Sequence, residues 1–351
     1  MADQTPVSII ISNYNYARFL GRSIDSALEQ GHPDVEVIVV DDASTDDSSD
    51  VINSYGDRIR PCLRETNGGH AAAFNSGFIA CKGDVVFFLD ADDYLYPEAV
   101  SHVVHAWRDR TAEFEFRLHL VDEEEQVKDV FPPPEAPFDQ GDVTPELLRR
   151  GRYQTTVTSG LAFARSALET IMPIPETDFR QGADGYLATL APLHGEVQAL
   201  DECLGAYRMH GANHSVFGQK LAERARWRVE HDFHRLEALS AETENIGLKM
   251  QSDPALHDPV HLEERLASLC IDESSHPVQG DSRLRLGAAG AAASLAMHYS
   301  LRRRTVQAAW FLAVGLLPRE PAKRILAWKL DVSSRPAWLE RLSKAIRHAM
   351  G

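Results

Sequence analysis

The sequence GDVVFFLDADDYLYPE, residues 83–98, decides the fold class of this chain. A run of apolar residues from Val85 to Leu89 has the composition of a buried β-strand, and three carboxylates follow it at once: Asp90, Asp92 and Asp93. Like charges this close repel one another, so their position directly after a buried strand needs a physical explanation. In an extended chain Asp90 and Asp92 project to one side and Asp93 projects to the other.

Two explanations of these carboxylates stay open when the stretch is taken alone. Oxygen ligands on one side of the chain suit a hard divalent cation: Mg²⁺ binds through one or two carboxylates together with phosphate oxygens, and Mn²⁺ favours the same ligands. The alternative is a solvated turn in which Asp93 caps the next helix. The first explanation predicts a cation that arrives with a diphosphate, and the second predicts no ligand.

The first ninety residues alternate between strand and helix patterns. VSIIIS (residues 7–12) and VEVIVVDD (residues 35–42) are continuous β-branched runs, which are typical of strands covered on both faces. YARFLGRSIDSALEQ (residues 16–30) has apolar residues at helical spacing, and GHAAAFNSGFIACKG (residues 69–83) is a second small helix ended by Gly83. This alternation predicts an α/β fold with a Rossmann-like, mostly parallel sheet and flanking helices.

The chain changes character after this region. FEFRLHLVDEEEQVKDVF (residues 114–131) alternates on either side of a polar turn and predicts an antiparallel hairpin. GADGYLATLAPLHG (residues 182–195) predicts a short helix that begins near Asp184. From residue 219 the pattern is helical, so we expect a catalytic domain over residues 1–218 and a helical C-terminal region over residues 219–351.

Charge and composition exclude several classes of function. The 351-residue chain has a formal net charge of −16, which repels phosphate backbones, so nucleic acid is not an expected partner. Its four cysteines are widely spaced with no CxxC pair, which is typical of free thiols in a reducing cytoplasm. We find no secretory signal at the N-terminus and no apolar run long enough to span a bilayer, so a cytoplasmic location is expected.

The last fifty residues carry a different charge from the rest. Residues 301–351 contain eleven Lys and Arg against three Asp and Glu, a balance of +8, together with Trp310, Trp328 and Trp338. This mixture suits a helix in an anionic membrane interface, which would give peripheral contact with the inner face of the plasma membrane. It equally suits a helical subdomain whose basic face pairs with the acidic catalytic domain and whose tryptophans pack between helices.

Taken together, the motifs resemble the family 2 glycosyltransferases, whose nucleotide-sugar-binding fold is called GT-A. The resemblance covers roughly Val7 to Tyr207, and its matching pieces are VSIIISNYNYARFLGRSIDSAL, VEVIVVDDASTDDS, NGGHAAAFNSGFIACKGDVVFFLDADD and GADGYL. It implies an inverting, metal-dependent glycosyltransferase of the hexosyltransferase type, active in cell-surface polysaccharide or glycolipid synthesis. The implied partners are a nucleotide-sugar donor, a UDP-sugar before any other, and a glycan or lipid-linked acceptor.

The resemblance also implies roles for individual residues. Nucleotide-binding roles fall on Ser12, Tyr14, Asp41, Asp42, Asn67 and Asp90. Among these, Ser12 and Tyr14 line the nucleoside pocket, Asp42 accepts from the base, and Asp41 supports the loop around it. Asn67 belongs to a tight turn with Gly68 and Gly69, whose main job is to shape the backbone.

Metal and catalytic roles follow from the same comparison. Asp90 and Asp92 match the family's DxD motif, which holds Mg²⁺ or Mn²⁺ against the diphosphate; Asp93 lies close to the metal or sugar, and His210 is a further candidate ligand. For His210, a solvated loop histidine is the equal alternative. Asp184 falls where the family has its general base. Its alternative is a helix first-turn acid.

Two positions depart from the family pattern. The slot for the base is more often an acidic pair, but here Ala183 precedes Asp184, which leaves one carboxylate. Phe74 stands where the family often has an arginine that contacts the diphosphate. That contact is either lost or moved to Arg64, His70 or Arg208.

Two rival functions stay open on the sequence alone. A nucleotidyltransferase also combines a parallel sheet with acidic metal ligands, but it is expected to carry a glycine-rich basic loop after its first strand. SNYNYARF (residues 12–19) contains no glycine and no lysine. A catalytically inactive nucleotide-sugar-binding protein would account for the two departures from the family pattern.

Overall fold

The computed structural model describes residues 5–211 and 221–330. The chain folds into two compact units, which are described separately below. The first contains residues 1–213 and 237–250, and the second contains residues 214–236 and 251–351. The predicted boundary at residue 218 lies outside the described residues and stays a prediction.

The first unit contains a mixed sheet, and the part of the chain that the structure describes contributes nine strands to it. Their order is β3-β2-β1-β4-β8-β6-β9-β5, with β7 paired to β6. The strands are β1 Val7–Asn13, β2 Val35–Asp41, β3 Arg60–Leu63, β4 Val85–Asp90, β5 Tyr94–Leu95, β6 Thr111–Val121, β7 Val127–Phe131, β8 Leu161–Ala164 and β9 Glu196–Arg208.

Helices follow most of these strands. Those of the first unit are α1 Ala17–Leu28, α2 Ser48–Ser54, α3 His70–Ala80, α4 Ala99–Ala106, α5 Thr144–Arg150, α6 Arg165–Ile171 and α7 Ala183–Leu190. The remaining helices are α8 Leu221–Asn245, α9 Pro259–Ile271, α10 Arg283–Leu295, α11 Leu301–Leu316 and α12 Arg319–Leu330. No helix within the described ranges combines the length and the hydropathy that a membrane crossing requires.

The four strands β3, β2, β1 and β4 form the parallel part of the sheet. The apolar side chains of β1, β2 and β4 are buried on both faces, as the continuous apolar runs predict. Helix α3 packs closely on one face because Gly77 has no side chain: a Cβ there would lie 2.3 Å from a methyl group of Ile10. The predicted GT-A fold class with a helical C-terminal region is confirmed.

Beyond β4 the sheet is mixed. Strand β8 runs antiparallel to both β4 and β6, and β9 runs parallel to β6. The predicted hairpin is present as β6 and β7, which pair antiparallel. Strand β9 is 13 residues long, and its first half carries the acidic residues Glu196, Asp201 and Glu202.

The second unit has a helical core of its own. Leu262, Leu266, Leu286 and Phe311 are buried in one hydrophobic cluster formed by α9, α10, α11 and α12. Trp310 packs against this cluster, in agreement with the helix-packing alternative for that residue. Trp328 lies in α12, and Trp338 lies outside the described residues together with the end of the basic segment.

Candidate active site

Polar side chains meet where the parallel strands end. The strand registers place Asn13 beside Asp41 and Ser12 beside Asp90, at the carboxyl edge of β2, β1 and β4. Asn13 Nδ2 donates to Asp41 Oδ1 at 2.7 Å, and Ser12 Oγ lies 3.4 Å from Asp90 Oδ1. The strand order reverses at β1, because β2 and β3 lie on one side of it and β4 lies on the other. Open α/β sheets bind ligands at such a topological switch point.

Three of the four predicted metal ligands converge at this edge. One carboxylate oxygen each from Asp90, Asp92 and Asp93 lies within 4.8 Å of the other two, close enough to share a cation. Asp93 is fully buried, Asp92 is nearly so, and the side chain of Asp90 is 30% exposed. The cluster is therefore open on the side of Asp90.

The electrostatics of these carboxylates fit a cation. Burial raises the pKa of Asp93 well above its usual range, and the charges of Asp92 and Asp90 raise it further. Burial also raises the pKa of Asp92, although a hydrogen bond from His210 opposes this. In both shifts burial is the largest cause, and the repulsion between neighbouring carboxylates adds to it. An oxygen-only donor set of this kind is one that Mg²⁺ and Mn²⁺ bind.

Asp93 supports the cluster from within the fold. Its Oδ2 accepts from Ser159 Oγ at 2.6 Å, and its Oδ1 accepts from the backbone N–H of Arg208 at 2.9 Å. The guanidinium of Arg208 also donates from Nε to the carbonyl of Asp92 at 3.0 Å. These bonds hold the Asp90–Asp93 turn against β9 and leave Asp90 and Asp92 as the more accessible carboxylates.

His210 lies directly behind Asp92. Its side chain is fully buried, its Nε2 lies 2.9 Å from Asp92 Oδ2, and its ring lies 4.8 Å from that of Phe19. The solvated-loop alternative is therefore wrong for this histidine. It adjoins the group of three carboxylates without belonging to it, so its role as a ligand stays a prediction.

Asp42 and Asp41 bind the loops around the expected nucleoside pocket. The Asp42 carboxylate accepts from the backbone N–H groups of Gly68 and Gly69, at 2.9 and 2.6 Å, and from Arg64 Nε at 2.8 Å. Asp41 Oδ2 accepts from the N–H of Ser44 at 3.0 Å. A nucleotide base that contacts Asp42 must therefore share a carboxylate oxygen of Asp42 with these donors.

The other two nucleotide-binding candidates differ in exposure and bonding. Tyr14 is 44% exposed at the end of β1, where a planar ring could stack on its face. Asn67 donates from Nδ2 to the carbonyl of Asp42 at 3.3 Å and accepts from Arg180 at 2.5 Å. Asn67 thus joins two loops, which agrees with the expectation that it shapes the backbone.

The loop before α7 brings Asp184 toward the acidic cluster. The N–H of His70 donates to the carbonyl of Arg180 at 2.7 Å, which ties this loop to the start of α3. The contact requires glycine at position 69, where φ is +86° and a Cβ would lie 2.3 Å from that carbonyl oxygen. Asp184 follows in the first turn of α7.

His70 connects Asp184 electrostatically with Asp90. Its Nε2 lies 3.4 Å from Asp90 Oδ1. Burial lowers the pKa of His70, but the interaction with Asp90 and the charges of Asp184 and Asp92 outweigh it, so the net pKa is raised. Asp184 is thus close enough for its charge to act on His70, which itself lies beside Asp90.

Comparison with known proteins shows which family the chain resembles. Residues 8–129 match the family model "Glycosyl transferase family 2". An uncharacterized glycosyltransferase of Nostoc sp. is 38% identical over 218 residues, which cover 60% of this chain and 66% of the relative. The chain belongs to glycosyl transferase family 2.

Two further comparisons extend the match. The Escherichia coli UDP-Glc:alpha-D-GlcNAc-diphosphoundecaprenol beta-1,3-glucosyltransferase WfaP is 34% identical over 129 residues, which cover 36% of this chain and 51% of that protein. The crystal structure of Staphylococcus aureus TarS 1–349 with UDP-GlcNAc has the same fold, with a TM-score of 0.52 at 16% identity over 88% of this chain and 90% of that one.

In this family 2 glycosyltransferase Phe74 is a core residue. Its ring is fully buried, stacks on Phe88 at 4.1 Å between centroids, and meets the His70 ring edge-on at 4.1 Å. The departure at Phe74 therefore belongs to the packing of α3 on β4.

Tyr16 is a site residue that the sequence analysis missed in this family 2 glycosyltransferase. Its ring meets the ring of His210 edge-on, with 5.6 Å between the centroids. Burial raises the pKa of its hydroxyl, and the charges of Asp92, Asp90 and Asp93 raise it further. SNYNYARF contains two tyrosines, and the resemblance points only to the one nearer the strand end. The available signal was the place of Tyr16 immediately before α1, where the chain turns back toward the sheet.

Proposed function

We propose that this protein is an inverting glycosyltransferase that moves a sugar from a nucleoside diphosphate to an acceptor hydroxyl. The observation that carries the proposal is the convergence of Asp90, Asp92 and Asp93 at the carboxyl edge of a GT-A sheet. Membership of glycosyl transferase family 2 supports the same class of reaction.

The chain's own residues have distinct tasks in this reaction. Asp90 and Asp92 would hold Mg²⁺ or Mn²⁺, and Asp93, bound to Ser159, keeps their turn in place. A bound divalent cation supplies positive charge that offsets the negative charge developing on the leaving diphosphate. His210 holds Asp92 in orientation through its 2.9 Å contact, or joins it as a ligand.

Asp184 is the proposed general base. It takes the proton of the acceptor hydroxyl, whose oxygen then forms a bond to the anomeric carbon as the bond to the diphosphate breaks. Attack from the face opposite the leaving group inverts the anomeric configuration. Since Ala183 replaces the first acid of the usual pair, this role falls on Asp184 alone.

The proposed donor is a UDP-sugar. The E. coli relative is named for UDP-glucose, and TarS was crystallised with UDP-GlcNAc. Ser12 and Tyr14 at the end of β1 are the proposed walls of the nucleoside pocket, with Asp42 beside it. Asp41 supports that wall through its bond with Asn13.

The proposed acceptor is a glycan or a lipid-linked sugar, in cell-surface polysaccharide or glycolipid synthesis. The name of the E. coli relative specifies an acceptor on diphosphoundecaprenol. Helix α11 supports contact with a membrane, because Val306, Leu312 and Leu316 are 63%, 44% and 70% exposed along one side. Arg302 begins this apolar stripe, as in interfacial helices that bind anionic lipid from the cytoplasmic side.

A thermal-shift panel tests the proposed function. UDP-, GDP-, dTDP- and CDP-sugars are added to the full-length protein with and without Mn²⁺, and a rise in Tm is expected for one base only when the cation is present. Asp90→Asn should abolish that rise. Asp109→Asn, which removes an exposed acid elsewhere, should keep it.

Two results of this panel would contradict the proposal. The absence of a shift with every donor would exclude a nucleotide-sugar enzyme. A shift without hydrolysis or transfer of sugar would favour the inactive binding protein over the enzyme.

A further inference from the structure

Phe74 stands where the family often has an arginine, so a diphosphate bound at this edge would take its hydrogen bond from another side chain. The diphosphate is strongly negative, and the edge that would receive it already carries three carboxylates. Three residues could replace the arginine: Arg64, His70 and Arg208. The partners that their donor atoms already have decide which of them is available to a ligand.

Arg64 is occupied by structural contacts. Its Nε donates to Asp42 Oδ1 at 2.8 Å, and its Nη1 donates to Ser76 Oγ at 2.6 Å and to the carbonyl of Ala72 at 3.2 Å. These bonds join the end of β2 to α3. Moving the guanidinium to a ligand would leave the buried Asp42 carboxylate without its cation.

Arg208 is equally occupied. Its side chain is 4% exposed, and it donates to the carbonyl of Asp92, to the carbonyl of Glu123 and to Glu125 Oε1 at 3.0 Å. Its guanidinium also lies over the ring of Phe19, 4.9 Å from the centroid. It therefore stabilises the turn of the acidic cluster from behind, away from the open side at Asp90.

His70 has a donor atom, Nε2, whose contact with Asp90 is long. Its Nε2 is buried from solvent and makes no hydrogen bond of acceptable geometry within the described residues. The neighbouring Asp90 Oδ1 is 3.4 Å away, too long for a strong bond, and the side chain as a whole is 20% exposed. A buried imidazole nitrogen without a partner costs free energy unless a ligand satisfies it.

Packing holds this imidazole in one orientation. The Phe74 ring meets it edge-on at 4.1 Å and is itself stacked on Phe88. The backbone N–H of His70 is fixed by the carbonyl of Arg180. The side chain that replaces the family's arginine thus positions the ring whose Nε2 faces Asp90.

We propose that His70 donates a hydrogen bond from Nε2 to a diphosphate oxygen of the bound donor, in place of the missing arginine. This inference rests on the proposed function, since it concerns the same nucleotide-sugar site. It makes His70 a binding residue for the phosphates, with no part in recognising the base.

The test compares ligands that differ only in phosphate number. Calorimetry measures the affinities of the nucleoside, the nucleoside monophosphate and the nucleoside diphosphate, for the base identified by the donor panel, with Mn²⁺ and full-length protein. His70→Ala should weaken the diphosphate roughly tenfold, the size expected for a hydrogen bond to a charged group, and leave the nucleoside unchanged. His70→Gln, which keeps an amide donor near the same place, should recover part of the loss.

Two controls separate this role from others. His102→Ala removes a half-exposed histidine on α4 and should match wild type with all three ligands. Mn²⁺ titration without nucleotide should give the same affinity for His70→Ala and wild type. A weaker Mn²⁺ affinity would make His70 a metal ligand and overturn the inference.

The remaining outcomes are also decisive. Equal loss of affinity for all three ligands, or no loss for the diphosphate in a folded His70→Ala protein, overturns the role of His70 and leaves the proposed function intact. Failure of wild type to bind any nucleoside diphosphate overturns both.

Discussion

Asp184 is the residue on which the proposed chemistry depends most directly. It occupies the first turn of α7, and its charge contributes to the raised pKa of the His70 imidazole. A first-turn acid with only a capping role would be dispensable for transfer. A general base would not be.

Replacing Asp184 with asparagine separates these two roles. Asp184→Asn should bind the donor with unchanged affinity and lose transfer by a factor of roughly 10² to 10⁴, because the amide cannot take a proton. Donor affinity is measured by calorimetry and transfer by release of nucleoside diphosphate. Retention of wild-type turnover would remove Asp184 from the mechanism.

Strand β6 carries an unusual pair of buried acidic residues. Glu113 and Glu115 lie two positions apart, both are fully buried, and Tyr153 Oη donates to Glu113 Oε1 at 2.6 Å. Burial raises the pKa of Glu113 to about 8. Burial and the charge of Glu113 raise the pKa of Glu115 well above its usual range. The folded protein therefore holds protons at this strand that the unfolded chain releases.

The sign of the pH dependence follows from this difference. The pKa of Glu113 is near 4.5 when unperturbed and about 8 in the fold, so the folded state binds more protons between these values. The free energy of unfolding should then fall as pH rises from 5 to 8, by at most about 1.4 kcal/mol per unit for one group.

Denaturant unfolding of a variant checks this expectation. Glu113→Gln should show a smaller fall in stability between pH 5 and pH 8 than wild type, because one of the two titrating groups is gone. Asp109→Asn, at an exposed position, should follow the wild-type curve. Identical pH profiles for Glu113→Gln and wild type would show that the pair is not protonated in the fold.

Over the whole molecule, positive and negative charge are distributed unevenly along the chain. The formal net charge is −16, but residues 301–351 carry +8, so the first 300 residues carry −24. Part of the basic segment is used inside the helical unit, where Arg319 pairs with Glu273 at 3.0 Å and Lys329 pairs with Glu263. The apolar stripe of α11 is instead exposed, so among residues 301–330 it is a surface available to meet lipid.

Vesicle flotation tests whether that stripe contacts a membrane. Truncation before α11 would remove Phe311 and Val314 from the core of the second unit, so surface substitutions are the better experiment. The double variant Leu312→Glu/Leu316→Glu should float less than wild type with vesicles that contain an anionic phospholipid. The matched control is Ile79→Glu, which changes an 85% exposed apolar residue of α3 and should float like wild type. Equal flotation of the double variant and wild type would exclude α11 as the contact.

The sequence by itself determined the parallel strands, the helices between them and the place where acids would gather. These features are local: a buried strand is a continuous apolar run, and the residues after it must lie at the sheet edge. Asp90 and Asp92 were located by such a local pattern, and the structure places them in one carboxylate cluster. The role of Asp184 was instead implied by the family resemblance and stays a prediction.

Only the tertiary structure decided which side chains already have partners at that edge. Asp93 is bonded by Ser159 and Arg208, which are 66 and 115 positions away in the chain, and Asp42 is bonded by Arg64, 22 positions away. No local pattern predicts such pairings, because they arise from the way distant elements pack. Within the described residues, the same packing left Nε2 of His70 without a hydrogen-bond partner and brought Tyr16 near the carboxylates, and neither could have been read from the order of residues.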